Sequence, residues 1–276
     1  MKPHSLKQAL KHRLSAKEHA LLRRSFDLIG DIAVLEMPRE LQKKEGIIAQ
    51  ALLNQHKHIK TVVKKVGGHT GRFRIQHFKI LAGKRKKITE YRENKCRMKL
   101  HLEMTYFSPR LAHERLRIAQ LIKKPEEVLV MFSGIAPYCL AISRNSPARR
   151  IYGVELNKEA HQFGLENISL NKIQNIKLFH GDVRTVVPAC KKRFDRIVMP
   201  LPKGGEHYLD IALQAIKKGG IIHFYDFLHK DEPAKAKEKI MAACTKARRK
   251  CQLLKQVVCG QQGPYTYRVC VDFQVR

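Results

Sequence analysis

Four short segments in the second half of the chain carry residue types suited to holding a nucleoside. The first, Phe132-Ser133-Gly134-Ile135-Ala136-Pro137, is a small-residue turn opening a helix. Gly134 lets a ligand approach the backbone closely, although tight packing of a strand on a helix would ask for the same residue. Glu155 follows 21 residues after Gly134. At the end of a strand its carboxylate can accept both hydroxyls of a ribose. Asp182, in His180-Gly181-Asp182-Val183, is placed to take an adenine amino group or, equally, to cap a helix. The fourth segment, Met199-Pro200-Leu201-Pro202-Lys203, is a rigid Pro-rich turn that can hold a planar base against a methyl donor, or simply end a strand before a helix. No GxGxxG cradle for a pyrophosphate is present, which favours S-adenosylmethionine over NAD as the nucleoside.

These segments require a scaffold that brings strand ends together. From Val128 onward the pattern alternates: strand Val128 to Phe132, helix Pro137 to Ser143, strand Arg150 to Glu155, helix Lys158 to Leu170, strands Ile176 to Phe179 and Arg193 to Met199. Helix Gly205 to Lys217, strand Gly220 to Asp226 and helix Ala234 to Lys250 follow, then strands Leu253 to Cys259 and Arg268 to Gln274 with no helix between them. Such alternation predicts a parallel sheet covered on both faces, ending in an antiparallel edge hairpin. Ligands of open sheets of this kind lie over the carboxyl ends of the strands, where all four segments fall. The expected fold is therefore α/β, and a parallel run with a terminal antiparallel strand pair resembles the class I (Rossmann-like) S-adenosylmethionine-dependent methyltransferase domain, here over residues 106–276.

A smaller α+β domain is expected over residues 1–105. It reads as a helix from Ser15 to Arg24, an apolar run Ile29 to Leu35 closed by Pro38, and a helix Ile47 to Asn54. Strands follow at Thr61 to Val66, Phe73 to Phe78, Lys87 to Arg92 and Arg97 to Leu102, with turns at Gly67-Gly68 and Lys84 to Lys86. A helical pattern from Leu111 to Ile122 and a linker at Lys123 to Glu127 lead into the second domain.

The 276 residues carry a formal net charge of +31 with 43% hydrophobic residues, enough for a sizeable core in a strongly cationic protein. The densest run lies between Lys57 and Lys99, where only Glu90 and Glu93 are acidic. An imbalance spread over the whole chain repels itself unless a polyanion neutralises it, so nucleic acid is the expected partner. A membrane-surface helix would want exposed tryptophan, and there is none. No apolar run approaches the roughly 20 residues that span a bilayer, and Met1 to Leu10 has no apolar signal region. Seven cysteines without a CxxC pair, and histidines with no HExxH spacing and a lone HxH pair at His56-Lys57-His58 with no further Cys, Asp or Glu beside it, predict reduced thiols and no metal site, as expected of a cytoplasmic protein.

Longer motifs then stand in register: Ser25-Phe26-Asp27-Leu28-Ile29-Gly30-Asp31-Ile32-Ala33-Val34, Tyr106-Phe107-Ser108-Pro109-Arg110-Leu111-Ala112-His113-Glu114-Arg115, Met131 to Tyr138 and Gly219 to Tyr225. Over roughly Leu14 to Arg276 the chain resembles the archaeal and eukaryotic tRNA (guanine-N1)-methyltransferases that modify position 37, without their small elbow-binding N-terminal domain. The resemblance implies an enzyme acting on guanosine 37 of the tRNA anticodon stem-loop; positioning and proton removal require no metal, and a monomer is expected. It puts the general base on Glu114, the arginine that stabilises charge on the guanine oxygen on Arg74, and a tyrosine near the target base on Tyr106. It also implies donor contacts at Phe132, Glu155 and Asp182, and site-shaping or phosphate contacts at Arg110 and Arg115. Lys84, Arg85 and Lys86 are further candidates for RNA contact.

Two positions depart from the family pattern. Its strand-end Asp is Val130 here, and the Asn of its Asn-Leu-Pro motif is Pro200, so a polar contact to the donor and an amide for the guanine are lost while Pro202 remains. Competing expectations are a wyosine-pathway methyltransferase or aminocarboxypropyl transferase on the same scaffold, a tRNA-binding protein with a decayed donor site, and a dehydrogenase.

Overall fold

A computed structural model describes residues 5–22 and 25–276, which divide into two compact units. The first comprises residues up to Arg92 together with Arg97–Pro109; the second comprises Glu93–Cys96 and Arg110–Arg276.

In the first unit a short helix α1 (Leu6–Ala9) precedes α2 (Ala16–Leu21), whose start is fixed by a capping box in which Ser15 and Glu18 exchange side-chain and backbone bonds. The expected continuation to Arg24 lies outside the described residues. Strands β1 (Asp27–Ile29) and β2 (Ile32–Leu35) form a tight hairpin inside the single apolar run. Helix α3 (Glu45–Gln55) then crosses over so that β3 (Thr61–Thr70) pairs parallel to β2, and β4 (Ile75–Gly83) returns antiparallel. Ile48, Ala49 and Leu52 lie on one face of α3, at helical spacing, and pack with Leu10, Leu35, Leu41 and Val62. Strands β5 (Ile88–Glu93) and β6 (Cys96–His101) make a separate two-stranded ribbon.

One turn differs from expectation. Gly67-Gly68 do not reverse the chain, because β3 runs on to Thr70 through a register shift after Val66. The reversal comes at residues 71–74, where Gly71 and Arg74 both take positive φ and the Arg74 N–H donates to Gly71 O.

The second unit opens with α4 (Ala112–Gln120) and continues as β7 (Glu127–Met131), α5 (Pro137–Asn145), β8 (Arg150–Glu155), α6 (Lys158–Leu170), β9 (Ile176–His180), α7 (Val183–Ala189) and β10 (Phe194–Met199). It ends with α8 (Leu209–Ala215), β11 (Ile216–His229), α9 (Lys235–Lys246), β12 (Cys251–Gly263) and β13 (Thr266–Val275). The strands form one sheet in the order β12-β13-β11-β10-β7-β8-β9, with β7 to β11 parallel. β13 is antiparallel to both neighbours and slots between β11 and β12, so the terminal hairpin is present but its first strand, not its last, forms the edge. Strands such as β7, buried at every position from Val128 to Met131, have the continuous apolar character of a sheet covered on both faces.

Helix α7 escaped sequence reading because its β-branched residues and Pro188 argue against a helix; the Asp182 cap supplies the start signal. The expected helix to Lys217 instead ends at Ala215. Ile216 already pairs with Phe194, and residues 217–220 bulge out, with Gly219 at positive φ, before Ile221 resumes pairing with Arg196.

Candidate active site

The loops after β7, β8 and β9 meet at the carboxyl edge of the sheet. After β7 the chain turns through Phe132 and Gly134, both at positive φ, and α5 begins with Pro137 at its first position. Phe132 adopts this strained backbone without being glycine, and its ring packs edge-on against Tyr208, 4.9 Å between centroids. Glu155 ties the first two loops together. Its Oε2 accepts the Gly134 N–H at 2.7 Å and its Oε1 accepts the Asn157 N–H at 2.8 Å. Burial pushes its carboxyl up from the ordinary glutamate value, only partly offset by the backbone donors of Asn157 and Gly134. Gly153, in the middle of β8, keeps this corner open: a Cβ there would sit 2.4 Å from Leu178 and 3.0 Å from Ser133. The Ser133 hydroxyl is buried in the same corner with no hydrogen-bond partner.

Asp182 caps α7, accepting the Arg184 N–H at 2.9 Å, so the capping role open to it is realised. Arg184 lies over the Tyr208 ring at 4.1 Å and donates to His207 O, which connects this loop to the one after β10. There Leu201 N–H donates to Met199 O at 2.8 Å, closing a tight turn in which Pro200 is half-buried and Pro202 buried. Val130, where the resembling family has Asp, is fully enclosed within β7.

Glu114, in the first turn of α4, lies only 6% exposed in a network of charges. The Arg117 guanidinium grips both its oxygens, Nε to Oε2 at 2.7 Å and Nη2 to Oε1 at 2.8 Å, and the Tyr225 hydroxyl donates to Oε1 at 2.5 Å. Arg117 reaches on to Asp272 Oδ2 at 2.7 Å, and Asp272 Oδ1 lies 2.6 Å from His223 Nδ1. On the far side of the imidazole, Arg196 Nη1 is 2.8 Å from Nε2, and Arg196 Nε bonds Glu126 at 2.7 Å. Burial opposes the charge on Asp272, but His223 and Arg117 overcome it and hold its carboxyl well below the usual range; burial likewise lowers His223 and raises Tyr225. Tyr225 therefore stays a phenol able to donate, and His223 stays neutral.

His223, Cys270 and Asp272 have potential ligand atoms within 4.8 Å of one another, brought together from β11 and β13 with no HxH-type spacing. Because a guanidinium can only donate, Arg196 makes Nε2 an acceptor and leaves the proton on Nδ1, facing Asp272. The cluster is thus closed by hydrogen bonds, with the imidazole nitrogen nearest Asp272 unavailable to a cation. The helix ion pair that sequence offers Glu114 with Arg115 or Arg117 forms with Arg117, whereas sequence reasoning missed Tyr225, Asp272, His223 and Arg196. The available signal was polar residues interrupting apolar strand runs, as in Ile221-Ile222-His223-Phe224-Tyr225 and Val271-Asp272-Phe273.

Arg115 is 2% exposed and bonds Glu93 through both Nε and Nη2, the latter at 2.6 Å. Of the two roles expected for it, shaping the interior is the one its position allows; a phosphate contact is not. Arg110 is exposed at the start of the second unit.

Arg74 and Tyr106 belong to the first unit, where the guanidinium lies over the phenol ring at 5.1 Å. Lys84 and Arg85 are exposed in the turn after β4, whereas Lys86 pairs with Asp31 and is partly neutralised.

Residues 89–254 match the TRM5/TYW2 methyltransferase domain, and residues 6–86 the TYW2 N-terminal domain. The chain is 34% identical over 252 residues to the tRNA (guanine(37)-N(1))-methyltransferase Trm5b of Pyrococcus abyssi, covering 91% of this chain and 74% of that one. It is 29% identical to the tRNA 4-demethylwyosine(37)-methyltransferase Taw21 of Saccharolobus solfataricus, covering 90% and 93%. The crystal structure of P. abyssi Trm5b superposes with a TM-score of 0.89 at 32% identity, covering all of this chain and 81% of that one. The complex of aTrm5 with tRNALeu does so at 0.86 and 28%, covering 100% and 79%.

Proposed function

The chain belongs to the TRM5/TYW2 methyltransferase family, and from that membership we propose that it transfers the methyl group of S-adenosylmethionine to N1 of guanosine 37 in tRNA. The observation that carries the reading is the corner where Glu155 binds the Gly134 N–H, over the carboxyl ends of the sheet. The residues fit the donor. The Glu155 carboxylate takes backbone N–H groups of Gly134, Asn157 and Leu156 and keeps acceptor capacity for a ribose hydroxyl, and the Ser133 hydroxyl is an unmatched buried polar atom beside the same turn. Asp182 and Phe132 flank the adenine position, and the Pro200–Pro202 turn closes the side where a base would lie. When bound, the donor supplies a methyl group made electrophilic by its sulfonium.

The work left to the protein is positioning and proton removal. Guanine N1 is a poor nucleophile while protonated, so Glu114 is assigned as the acceptor of that proton. Its oxygens take donors from Arg117 and Tyr225, with the Cys259 thiol also hydrogen-bonded to the carboxylate. The network behind it holds three carboxylates (Glu114, Asp272, Glu126) against two guanidiniums (Arg117, Arg196), an excess of one negative charge that one proton neutralises. Arg74 is assigned to the developing charge on the guanine oxygen and Tyr106 to the base, with Arg110, Lys84 and Arg85 to phosphate. The sulfonium methyl needs no metal activation. Among the described residues no helix is long and apolar enough to cross a membrane, and we read the protein as a cytoplasmic monomer.

A second reading, methylation of 4-demethylwyosine at the same position, is supported by the likeness to Taw21, 29% identical over 252 residues. Pro200, with no amide to read guanine, points the same way. Incubation with labelled donor and tRNA carrying guanosine, adenosine or 4-demethylwyosine at position 37, with the product located by nuclease digestion and mass spectrometry, tests both. Methylation of the guanosine tRNA alone is expected; methylation of the tricyclic base alone overturns the first reading in favour of the second.

A further inference from the structure

A cleft lies at the opposite edge of the catalytic sheet, where the amino ends of β10, β11 and β12 meet the carboxyl end of β13. It has a volume of about 650 Å³ and is lined by Arg193, Lys218, Arg249, Lys250 and Arg276, with no acidic side chain and no aromatic ring among its lining residues. Arg193 immediately precedes β10, Lys218 sits in the bulge that opens β11, and Arg249-Lys250 precede β12.

Bonds to backbone carbonyls fix the walls from which these cations project. Gln274 donates to Gly219 O at 2.9 Å across the bulge, Arg276 N–H donates to Lys250 O at 2.8 Å, and Arg249 Nη1 donates to Leu213 O at 3.1 Å. No acidic partner is found for Arg193, Lys218 or Lys250 among the described residues. The adjacent Lys217 shows the contrast: it pairs with Asp195 at 2.7 Å and is not part of the lining.

We propose that this cleft binds RNA phosphates, as a second anchoring site on the tRNA distinct from the edge that holds the methyl donor; the identity of the RNA rests on the function proposed above. Several cations converging on one concavity suit a backbone bearing successive phosphates. The lack of an aromatic ring argues against a nucleobase, since single bases are held by stacking. The six residues of β10 span roughly 20 Å, so the cleft meets a part of the tRNA other than the nucleotide being methylated.

The test compares the full chain with the combined variant Arg193→Glu/Lys218→Glu/Lys250→Glu and the milder Lys218→Gln/Lys250→Gln. S-adenosylmethionine affinity and thermal unfolding, which read the opposite edge and the core, are expected to stay at wild-type values. Binding of a full-length tRNA transcript should fall at least tenfold in the Glu variant and less in the Gln variant. The slope of log affinity against log salt should flatten by about 2 to 3 in the Glu variant, at somewhat under one per phosphate contact. An isolated 17-nucleotide anticodon stem-loop, which lacks the rest of the tRNA, should lose less affinity in the Glu variant than the full-length transcript does. Wild-type affinity and slope for the full-length transcript in the Glu variant overturn the proposal. So does an equal loss for the stem-loop, which would place the cleft at the methylation edge. If inorganic phosphate protects the wild type but not the Glu variant from heat while transcript binding is unchanged, the cleft takes free phosphate and the RNA assignment is wrong. Methylation of the stem-loop by the wild type is scored separately, so failure of the proposed reaction leaves the binding comparison readable.

Discussion

Glu155 is half-buried and Glu114 buried, and the second unit holds them in opposite ways. Glu155 is bonded by neutral backbone N–H groups of Gly134 and Asn157, and burial raises its carboxyl. Glu114 is bonded by the Arg117 guanidinium and the Tyr225 phenol, with Asp272, His223, Arg196 and Glu126 stacked behind. Backbone donors fix a position without supplying charge, so the negative charge of Glu155 is left for whatever hydroxyls a ligand brings. A cation supplies charge as well as position, so Glu114 is anchored for a reaction in which a proton arrives. The first arrangement suits binding and the second suits chemistry.

Glu114→Gln should break the comparison most sharply. A lost general base costs about 10²- to 10⁴-fold in rate, so single-turnover methylation should fall by that amount while tRNA affinity and donor affinity change little. An unchanged rate would move the base away from the charge network. Arg117→Met comes next. Leaving buried carboxylates without their cation costs about 3–5 kcal/mol, and the lower end applies because the guanidinium is 22% exposed. The measurement is chemical denaturation, and a loss below 1 kcal/mol would mean that Glu114 and Asp272 do not depend on Arg117.

Glu155→Gln should act on the other side of the comparison. A hydrogen bond to a charged group is worth about 1.5–3 kcal/mol, so donor affinity measured by calorimetry should weaken at least tenfold, with stability little altered. In the wild type the same affinity should decline on acidification at a pH above the ordinary glutamate value of 4.5, because burial raises the folded carboxyl. The variant should lack that step.

The two regions also differ in how far the sequence discloses them. Turns such as Phe132 to Pro137 and the strand-end Glu155 are local: a small-residue turn and a carboxylate 21 residues apart announce a strand-helix-strand unit. The sheet, its terminal hairpin and most helices follow from periodicity for the same reason. The charge network is non-local. Arg117, Tyr225 and Asp272 are separated by up to 155 positions and meet only because β13 inserts beside β11. The i, i+3 helix spacing pairs Arg117 with Glu114, but no spacing rule adds Tyr225 or Asp272, although a histidine and an aspartate inside apolar strands mark where burial demands partners. Misplaced boundaries have similarly specific causes: β-branched residues and Pro188 disguised α7, and two glycines at 67 and 68 suggested a turn where β3 merely shifts register.

The smallest expected effect sharpens the claim that the network holds its histidine neutral. Burial lowers His223 below its ordinary value of 6.5, against the pull of Asp272. The unfolded chain therefore binds a proton below about pH 6.5 that the folded chain refuses, so the unfolded state holds more protons and stability must fall as pH falls through that range. The opposite sign would hold if Asp272 kept the imidazole charged, because its folded value would then be raised and acid would stabilise the protein. His223→Gln keeps a side chain able to donate to Asp272 and accept from Arg196 but cannot take up the proton. Denaturation midpoints measured from pH 7.5 to 5.5 should drop for the wild type by the equivalent of about 1 kcal/mol, the scale of one proton over one pH unit, more than for His223→Gln. An identical slope in both proteins would mean that His223 takes up its proton in the folded state as readily as in the unfolded one, and that the network's excess negative charge is already satisfied before any substrate arrives.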